Sequence, residues 1–154
     1  MAIGKLLAQN KKAYHEYFVE HKYEVGMVLT GPETKSIRSG KVSIKESYAE
    51  IVGTEVFIVG MHVAPYEMGN RFNVDPLRRR KLLLHRKEIN KIIGYTTQDG
   101  YTLVPLKVYI SPKGLMKMEL GVCKGKKIHD KRQSLAKKDS ERRVQRELRD
   151  RQRD

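Results

Sequence analysis

Apolar residues are distributed very unevenly along this chain. They recur at short intervals through residues 1–123 but become rare after Gln133, where the larger ones are Leu135, Val144 and Leu148. Those side chains bury too little surface to offset the entropy of ordering that segment. We therefore predict a folded body over residues 1–123 and a basic tail over residues 124–154. The tail lacks Gly and Pro after Gly125 and carries favourable i,i+4 ion pairs, so we expect it to be disordered when free and helical when bound.

The net charge of the chain is +14, and it divides evenly between the two predicted parts. Residues 1–123 carry 19 Lys and Arg against 12 Asp and Glu, and residues 124–154 carry 13 against 6. Such a concentration of positive charge favours a polyanionic partner, above all nucleic acid. An anionic membrane is the main alternative, but the tail lacks the bulky apolar face of an interfacial helix, so we expect no membrane partner. Excess lysine that only aids solubility is a further alternative.

The sequence offers few groups for catalysis. Cys123 is the single cysteine, which excludes disulfide frameworks and four-cysteine zinc sites. The five histidines lack a metal-binding spacing, and residues 31–36 (GPETKS) lack the second glycine of a phosphate-binding loop. Neighbouring lysines would lower the pKa of the Cys123 thiol, but a structural cysteine at a strand end is the better interpretation. We predict a protein that is not an enzyme and that uses no metal or cofactor.

The expected location is the cytoplasm. No run of 18 or more apolar residues is present, and residues 1–10 lack the apolar core of a signal peptide. A single cysteine is also typical of a reducing compartment.

Alternating apolar residues predict a body built mainly from β-strands. One hairpin is expected from Tyr48–Val52 and Glu55–Val59, and another from residues 102–110 and 115–122, joined by the turn SPKG. In the second hairpin we expect one face to hold Val104, Leu106, Val108 and Ile110. Residues 22–29 and 41–44 add further strands, the first with one face formed by Tyr23, Val25 and Met27. About six strands predict a small antiparallel barrel, closed or nearly closed.

Helical patterns are shorter and weaker. Apolar residues at helical spacing predict one substantial helix over residues 77–93 (LRRRKLLLHRKEINKII), capped by Gly94 and covering an opening of the barrel. Residues 13–18 are expected to form a short helix or turn, and residues 33–38 a single helical turn at most. No element is predicted for residues 5–12, which are basic and polar.

Three basic groups have the chemistry of nucleic-acid binding. The first combines cations, an amide and flat rings, which suit phosphate contacts and stacking on unpaired bases: Asn10, Lys11, Lys12, Tyr14 and His15. The others are four consecutive cations at residues 78–81 and the basic, flexible residues 125–127. Each group has a simpler interpretation as solvated surface, with Tyr14 in the core. Together they favour an RNA-binding barrel over an enzyme.

Several blocks of the sequence resemble one bacterial family in order and spacing. They are residues 10–17 (NKKAYHEY), 31–41 (GPETKSIRSGK), 47–48 (SY), 75–84 (DPLRRRKLLL), 100–106 (GYTLVPL) and 125–132 (GKKIHDKR). The family is small protein B, the SsrA-binding proteins. The resemblance implies an oligonucleotide-binding-fold barrel with added short helices and a C-terminal tail that is unstructured when free.

The function implied by this resemblance is ribosome rescue. The barrel is expected to bind the tRNA-like domain of transfer-messenger RNA and bring it to stalled ribosomes for trans-translation and peptide tagging. The tail is expected to occupy the small-subunit decoding centre and the empty mRNA channel. Elongation factor Tu is expected as an indirect partner through the aminoacylated RNA, and the protein as a monomer. The alternatives are a ribosomal or ribosome-assembly protein bound to ribosomal RNA and, less favoured, an RNA-modifying enzyme.

Residue roles are implied by position within the matching blocks. The family's RNA-contacting or binding-sensitive residues match Asn10, Lys11, His15, Glu24, Arg38, Tyr48, Lys81 and Leu83. Its ribosome-acting junction and tail match Gly125, Lys126, Lys127, His129, Asp130, Lys131 and Arg132. Since a carboxylate repels phosphate, Glu24 is expected to accept hydrogen bonds from a base edge or ribose, or to fix a nearby cation. Thr34 and Cys123 depart from the commonest family pattern outside these motifs.

Overall fold

Strands dominate the computed structural model, which describes residues 3–67, 73–98 and 100–126. In chain order the elements are β1 (Lys5–Gln9), α1 (Lys11–Glu16), β2 (Tyr17–Met27), α2 (Gly31–Arg38), β3 (Val42–Ser43), β4 (Tyr48–Val52), β5 (Glu55–Val59), β6 (His62–Val63), β7 (Arg80–Leu83), α3 (Arg86–Gln98), β8 (Thr102–Ile110) and β9 (Met116–Gly125). The predicted class, mainly β with a few short helices, is confirmed.

Six of the strands close into a ring. Its neighbours in order are β8, β4, β5, β7, β2 and β9, and the pairing of β9 with β8 closes it. The ladder between β2 and β9 runs from Tyr17 opposite Gly125 to Val25 opposite Met118. β1 pairs with the second half of β8, and the short strands β3 and β6 pair with each other. The predicted closed barrel is confirmed, although the sequence does not predict β1, because its adjacent Leu6 and Leu7 give no alternation.

Apolar side chains from alternate strand positions fill the interior of the ring. Both predicted hairpins form, with Tyr48 opposite Val59 in the first and Ile110 opposite Met116 in the second. The expected interior face of β2 is also confirmed by Tyr23, Val25 and Met27. α3 contributes Ile92 to the same core, so the helix is held against the barrel by apolar packing.

A second, smaller apolar cluster lies on the outer face of β8 and β9, against α1. It consists of Ala13, Val104, Leu106 and Cys123. The prediction that Val104, Leu106 and Val108 share a face is therefore wrong. The pairing register shifts between Pro105 and Lys107, and this bulge returns Val108 to the barrel interior. As a result β8 buries apolar side chains on both faces.

The largest correction concerns residues 77–93, which do not form a single helix. Arg80–Leu83 form β7, hydrogen-bonded to β5 on one side and to β2 on the other. α3 begins at Arg86 and continues through Gly94, the predicted cap, to Gln98. Ladder hydrogen bonds to two neighbouring strands, together with burial of alternate side chains, outweigh the local helical pattern.

The other helices also differ in length from the prediction. α2 has eight residues rather than a single turn, because Thr30 and Glu33 form a capping box and Pro32 fits the first turn. α1 is short, as expected, but begins two residues earlier, after Asn10. Among the described residues, no helix is long and apolar enough to cross a membrane.

Candidate nucleic-acid interface

Asn10 fixes α1 to the barrel from below the surface. Its Oδ1 accepts from the Ala13 N–H at 3.2 Å, and its Nδ2 donates to the Pro105 carbonyl at 3.1 Å and to the Ile44 carbonyl at 3.4 Å. Only 5% of Asn10 is exposed. These contacts make Asn10 a positioning residue in the structure, and its predicted effect on RNA binding stays a prediction.

The basic side chains of α1 lie above this anchor. Lys11, Lys12 and His15 are all exposed, whereas Ala13 is buried under them. Lys12 Nζ lies 3.6 Å from Glu16 Oε1 and 3.5 Å from Glu46 Oε1, and the charge of Glu16 is the main cause of its raised pKa. The positive charge of Lys12 is therefore partly offset by these two carboxylates.

A concavity of about 200 Å³ separates α1 from the start of β4. Asn10, Lys12 and Glu46 line it together with Tyr48, a residue that is 45% exposed. The structure thus brings one predicted residue of β4 next to the predicted group on α1, although 38 positions separate Asn10 from Tyr48 in the sequence. A cation beside an exposed ring and a polar rim suits contact with a nucleotide.

A second exposed face is formed by the outer side of β4, β5 and β7. Lys81 and Leu83 point outward from β7, and Leu83 packs over Gly26 of β2, where an added Cβ would lie 3.3 Å from the Leu83 Cβ. Phe57 of β5 and Arg79, just before β7, lie on the same face. Phe57 is absent from the predicted residues, and Arg79 is among them only as one of the four consecutive cations at residues 78–81. The signal for Arg79 is the alternation of the strand, which turns Arg79 and Lys81 outward but Arg80 inward.

Beneath this face, a buried ion cluster joins α2 to β7. Glu33 is 4% exposed and accepts from Arg80, from Arg78 Nη2 at 2.6 Å and from the Thr30 N–H at 2.9 Å. Burial by itself would raise the pKa of Glu33, but these hydrogen bonds lower it below its ordinary value. The cluster holds α2, which ends at the exposed Arg38, against the strand that carries Lys81. Of the four consecutive cations, Arg78 and Arg80 therefore stabilise the fold beneath the outer face, and Arg79 and Lys81 point outward on it.

Glu24 points outward from β2 but already has a partner. It accepts a hydrogen bond from the hydroxyl of Tyr109, a fully buried residue of β8. Burial, and then the hydrogen bond to Glu24, raise the pKa of Tyr109, so this hydroxyl stays a donor. The contact orients the Glu24 carboxylate through a neutral group. The expected role of Glu24 toward a base edge, a ribose or a cation stays a prediction.

The junction between body and tail is attached to α1. β9 continues to Gly125, opposite Tyr17, which is two residues past the predicted end of the body. Lys126 Nζ then donates to the Tyr14 carbonyl at 3.0 Å and lies 5.2 Å from the centroid of the Phe18 ring. The ammonium group of Lys126 therefore already has partners within the body. The division into body and tail stays a prediction.

Several predicted residues lie outside the described part of the chain. They are Lys127, His129, Asp130, Lys131 and Arg132, and the expected conformations of the tail lie outside it as well.

The environment of Cys123 distinguishes a structural cysteine from a reactive one. Cys123 is fully buried, and burial raises the pKa of its thiol to about 12. The structural interpretation of Cys123 is confirmed, because a protonated, inaccessible thiol is a poor nucleophile.

The exposed groups are suited to binding. Cations, flat rings and one oriented carboxylate are presented by α1 and by the outer strands. Within residues 3–67, 73–98 and 100–126, no group of three or more His, Cys, Asp and Glu side chains is arranged to hold a metal ion.

Comparisons with known proteins agree on one family. A family model described as "SmpB protein" matches residues 7–150. The SsrA-binding protein of Geobacillus kaustophilus (strain HTA426) is 58% identical over 97% of this chain and 96% of its own length. The SsrA-binding protein of Anoxybacillus flavithermus (strain DSM 21510 / WK1) is 60% identical with the same coverage. A solved structure described as "tmRNA-SmpB: a journey to the center of the bacterial ribosome" contains a chain that is 44% identical, with a TM-score of 0.64, covering 77% of this chain and 82% of that one.

Proposed function

Because the chain belongs to the SmpB protein family, we propose that it binds SsrA RNA, also called transfer-messenger RNA, and acts with it on the ribosome. The observation that carries this proposal is the identity of 58–60% to SsrA-binding proteins over almost the whole chain. The related solved structure, which names transfer-messenger RNA and the ribosome together, supports the second half of the proposal. The relatives are named for binding SsrA, and the protein is not an enzyme.

We further propose which residues meet the RNA. The exposed Lys11, Lys12 and His15 of α1 and Tyr48 of β4 form one contact region, because α1 and the start of β4 face the same concavity. Lys81 and Leu83 form a second region on the outer strands, and Arg38 at the end of α2 is a further contact. Asn10 acts through α1, which it positions, whereas Glu24 presents a carboxylate that Tyr109 orients. Contact through phosphates would make the affinity depend strongly on salt.

The finer steps are also proposals, and they rest on the family resemblance. The protein would deliver the RNA to stalled ribosomes for trans-translation and peptide tagging, as a cytoplasmic monomer, with elongation factor Tu joining through the aminoacylated RNA. The tail, including Lys127, His129, Asp130, Lys131 and Arg132, would occupy the decoding centre and the empty mRNA channel. The charge of the tail supports this role, because 13 cations against 6 acidic residues suit an RNA-lined channel.

The deciding experiment compares two RNAs. Full-length protein is titrated with the tRNA-like domain of transfer-messenger RNA and with an ordinary tRNA at physiological salt. A strong preference for the first RNA supports the proposed function. Equal and steeply salt-dependent binding to both would favour a ribosomal or ribosome-assembly protein, because charge alone would then explain the affinity.

A further inference from the structure

Phe57 is a half-buried aromatic residue on the outer face of the barrel. It belongs to neither of the two apolar clusters formed by the described residues. Strand pairing places it between Glu50 on β4 and Lys81 on β7, with all three side chains on the outer face. The ring is covered by a cation, since Arg79 Cζ lies 4.6 Å from its centroid. Phe57 is therefore built into the surface rather than into the core.

Arg79 is held over this ring by a second contact. Its Nη1 donates to Glu50 Oε1 at 2.7 Å, yet 50% of the Arg79 side chain stays exposed. A guanidinium fixed by a carboxylate and a ring has already lost much of its rotamer freedom. A ligand that stacks on its exposed side therefore has little further ordering to impose.

The charges around Arg79 favour a flat ligand over a simple anion. Arg79 is paired with Glu50, and Lys81 Nζ lies 3.2 Å from Glu55 Oε1. Two carboxylates beside two cations leave this patch without net charge, which is unsuited to binding phosphate alone. Guanidinium planes stack on nucleobases, and every base offers such a face whatever the net charge of the patch.

We propose that Arg79 and Phe57 form a stacking platform for an unpaired base of the bound RNA. The proposal rests on the proposed function, because Tyr48, Lys81 and Leu83 lie on the same outer face and are the residues through which RNA would reach it. In this arrangement the base stacks on the exposed side of the Arg79 guanidinium. Phe57 packs against the opposite side, and the hydrogen bond to Glu50 fixes the orientation of the guanidinium plane.

The test uses full-length variants titrated at several salt concentrations with the tRNA-like domain and with ordinary tRNA. Arg79→Lys keeps the charge but removes the plane, and Phe57→Leu keeps an apolar contact but removes the ring. We expect each to weaken binding of the tRNA-like domain about tenfold, within the range for one stacked base. The salt dependence should be unchanged in Arg79→Lys. Lys113→Ala, an exposed cation in the β8–β9 turn, is the control and should leave the preference between the RNAs unchanged.

Each outcome decides the matter. Equal melting temperatures would show that the variants are folded. If Arg79→Lys then binds as tightly as the wild type, the platform is overturned while the proposed function stands. A loss in Arg79→Ala that Arg79→Lys restores, with a salt slope lower by about one, would identify a phosphate contact and also overturn stacking. If the wild type itself shows no preference between the RNAs, the proposed function is refuted, and the stacking platform, which rests on it, is refuted as well.

Discussion

The buried cluster of Arg80, Glu33 and Arg78 predicts a large loss of stability from one substitution. Arg80 is 0% exposed, and its guanidinium donates to Glu33, to the Met61 carbonyl at 2.8 Å and to the Pro76 carbonyl at 3.1 Å. Arg80→Ala removes all three donations and leaves the buried Glu33 carboxylate with Arg78 as its charged partner. Removing one member of a buried ion pair costs about 3–5 kcal/mol, and we expect a loss of that size in the free energy of unfolding.

Arg79 provides the matched control. It is the neighbouring arginine and is also paired with a carboxylate, at 2.7 Å, but half of its side chain is exposed. Exposed pairs contribute about 0.2–1 kcal/mol, so Arg79→Ala should cost far less than Arg80→Ala. Urea unfolding of the full-length variants, followed by circular dichroism, measures both. Equal losses would refute the argument that burial of the pair determines the cost.

A double variant separates lost charge from lost volume. Arg80→Met fills part of the space but leaves Glu33 with one fewer cation. Adding Glu33→Gln removes the carboxylate charge, so the double variant should be more stable than Arg80→Met alone. A double variant that loses the full sum of the two single losses would contradict an electrostatic origin.

The same cluster gives a pH signature. The pKa of Glu33 is lower in the folded protein than in the unfolded chain, so its contribution to stability is present above the unfolded value, about 4.3. That contribution is lost as the pH falls through the folded value. The stability difference between wild type and Glu33→Gln should therefore shrink in acid, and urea unfolding at a series of pH values tests this. A difference that grows as the pH falls would have the wrong sign.

Four further outcomes are expected. Lys11→Ala should weaken RNA binding and reduce the salt slope by about one, because the exposed cation would lose one phosphate; an unchanged slope would exclude that contact. Lys126→Ala should leave the slope unchanged, because its ammonium bonds the Tyr14 carbonyl, and a reduced slope would point to a phosphate instead. A protein ending at Lys126 should keep its RNA affinity but lose peptide tagging in a reconstituted translation assay, whereas loss of most affinity would place recognition in the tail. Cys123, with a pKa of about 12 and no exposure, should resist iodoacetamide at neutral pH until urea unfolds the protein, and rapid alkylation of the native protein would contradict its burial.

Local alternation of side chains is enough to predict some parts of the fold. Both hairpins are examples, because β4 with β5 and β8 with β9 each consist of two alternating segments joined by a short turn. The division of charge is equally visible, since it needs only counting. The family resemblance is a property of residue order and spacing, and the comparisons confirm it over nearly the whole chain.

Which side chains are available to a partner depends on pairing and packing between distant segments. The run from Arg78 to Lys81 suits a helix or a strand, and only pairing of β7 with both β5 and β2 turns Arg80 into the core and Lys81 outward. Asn10 and Lys126 look like solvated RNA ligands in the sequence, but their acceptors are the carbonyls of distant residues. The physical reason is the same in each case. A polar group is buried only where the folded chain supplies partners that replace water, and those partners come from segments that no local pattern connects.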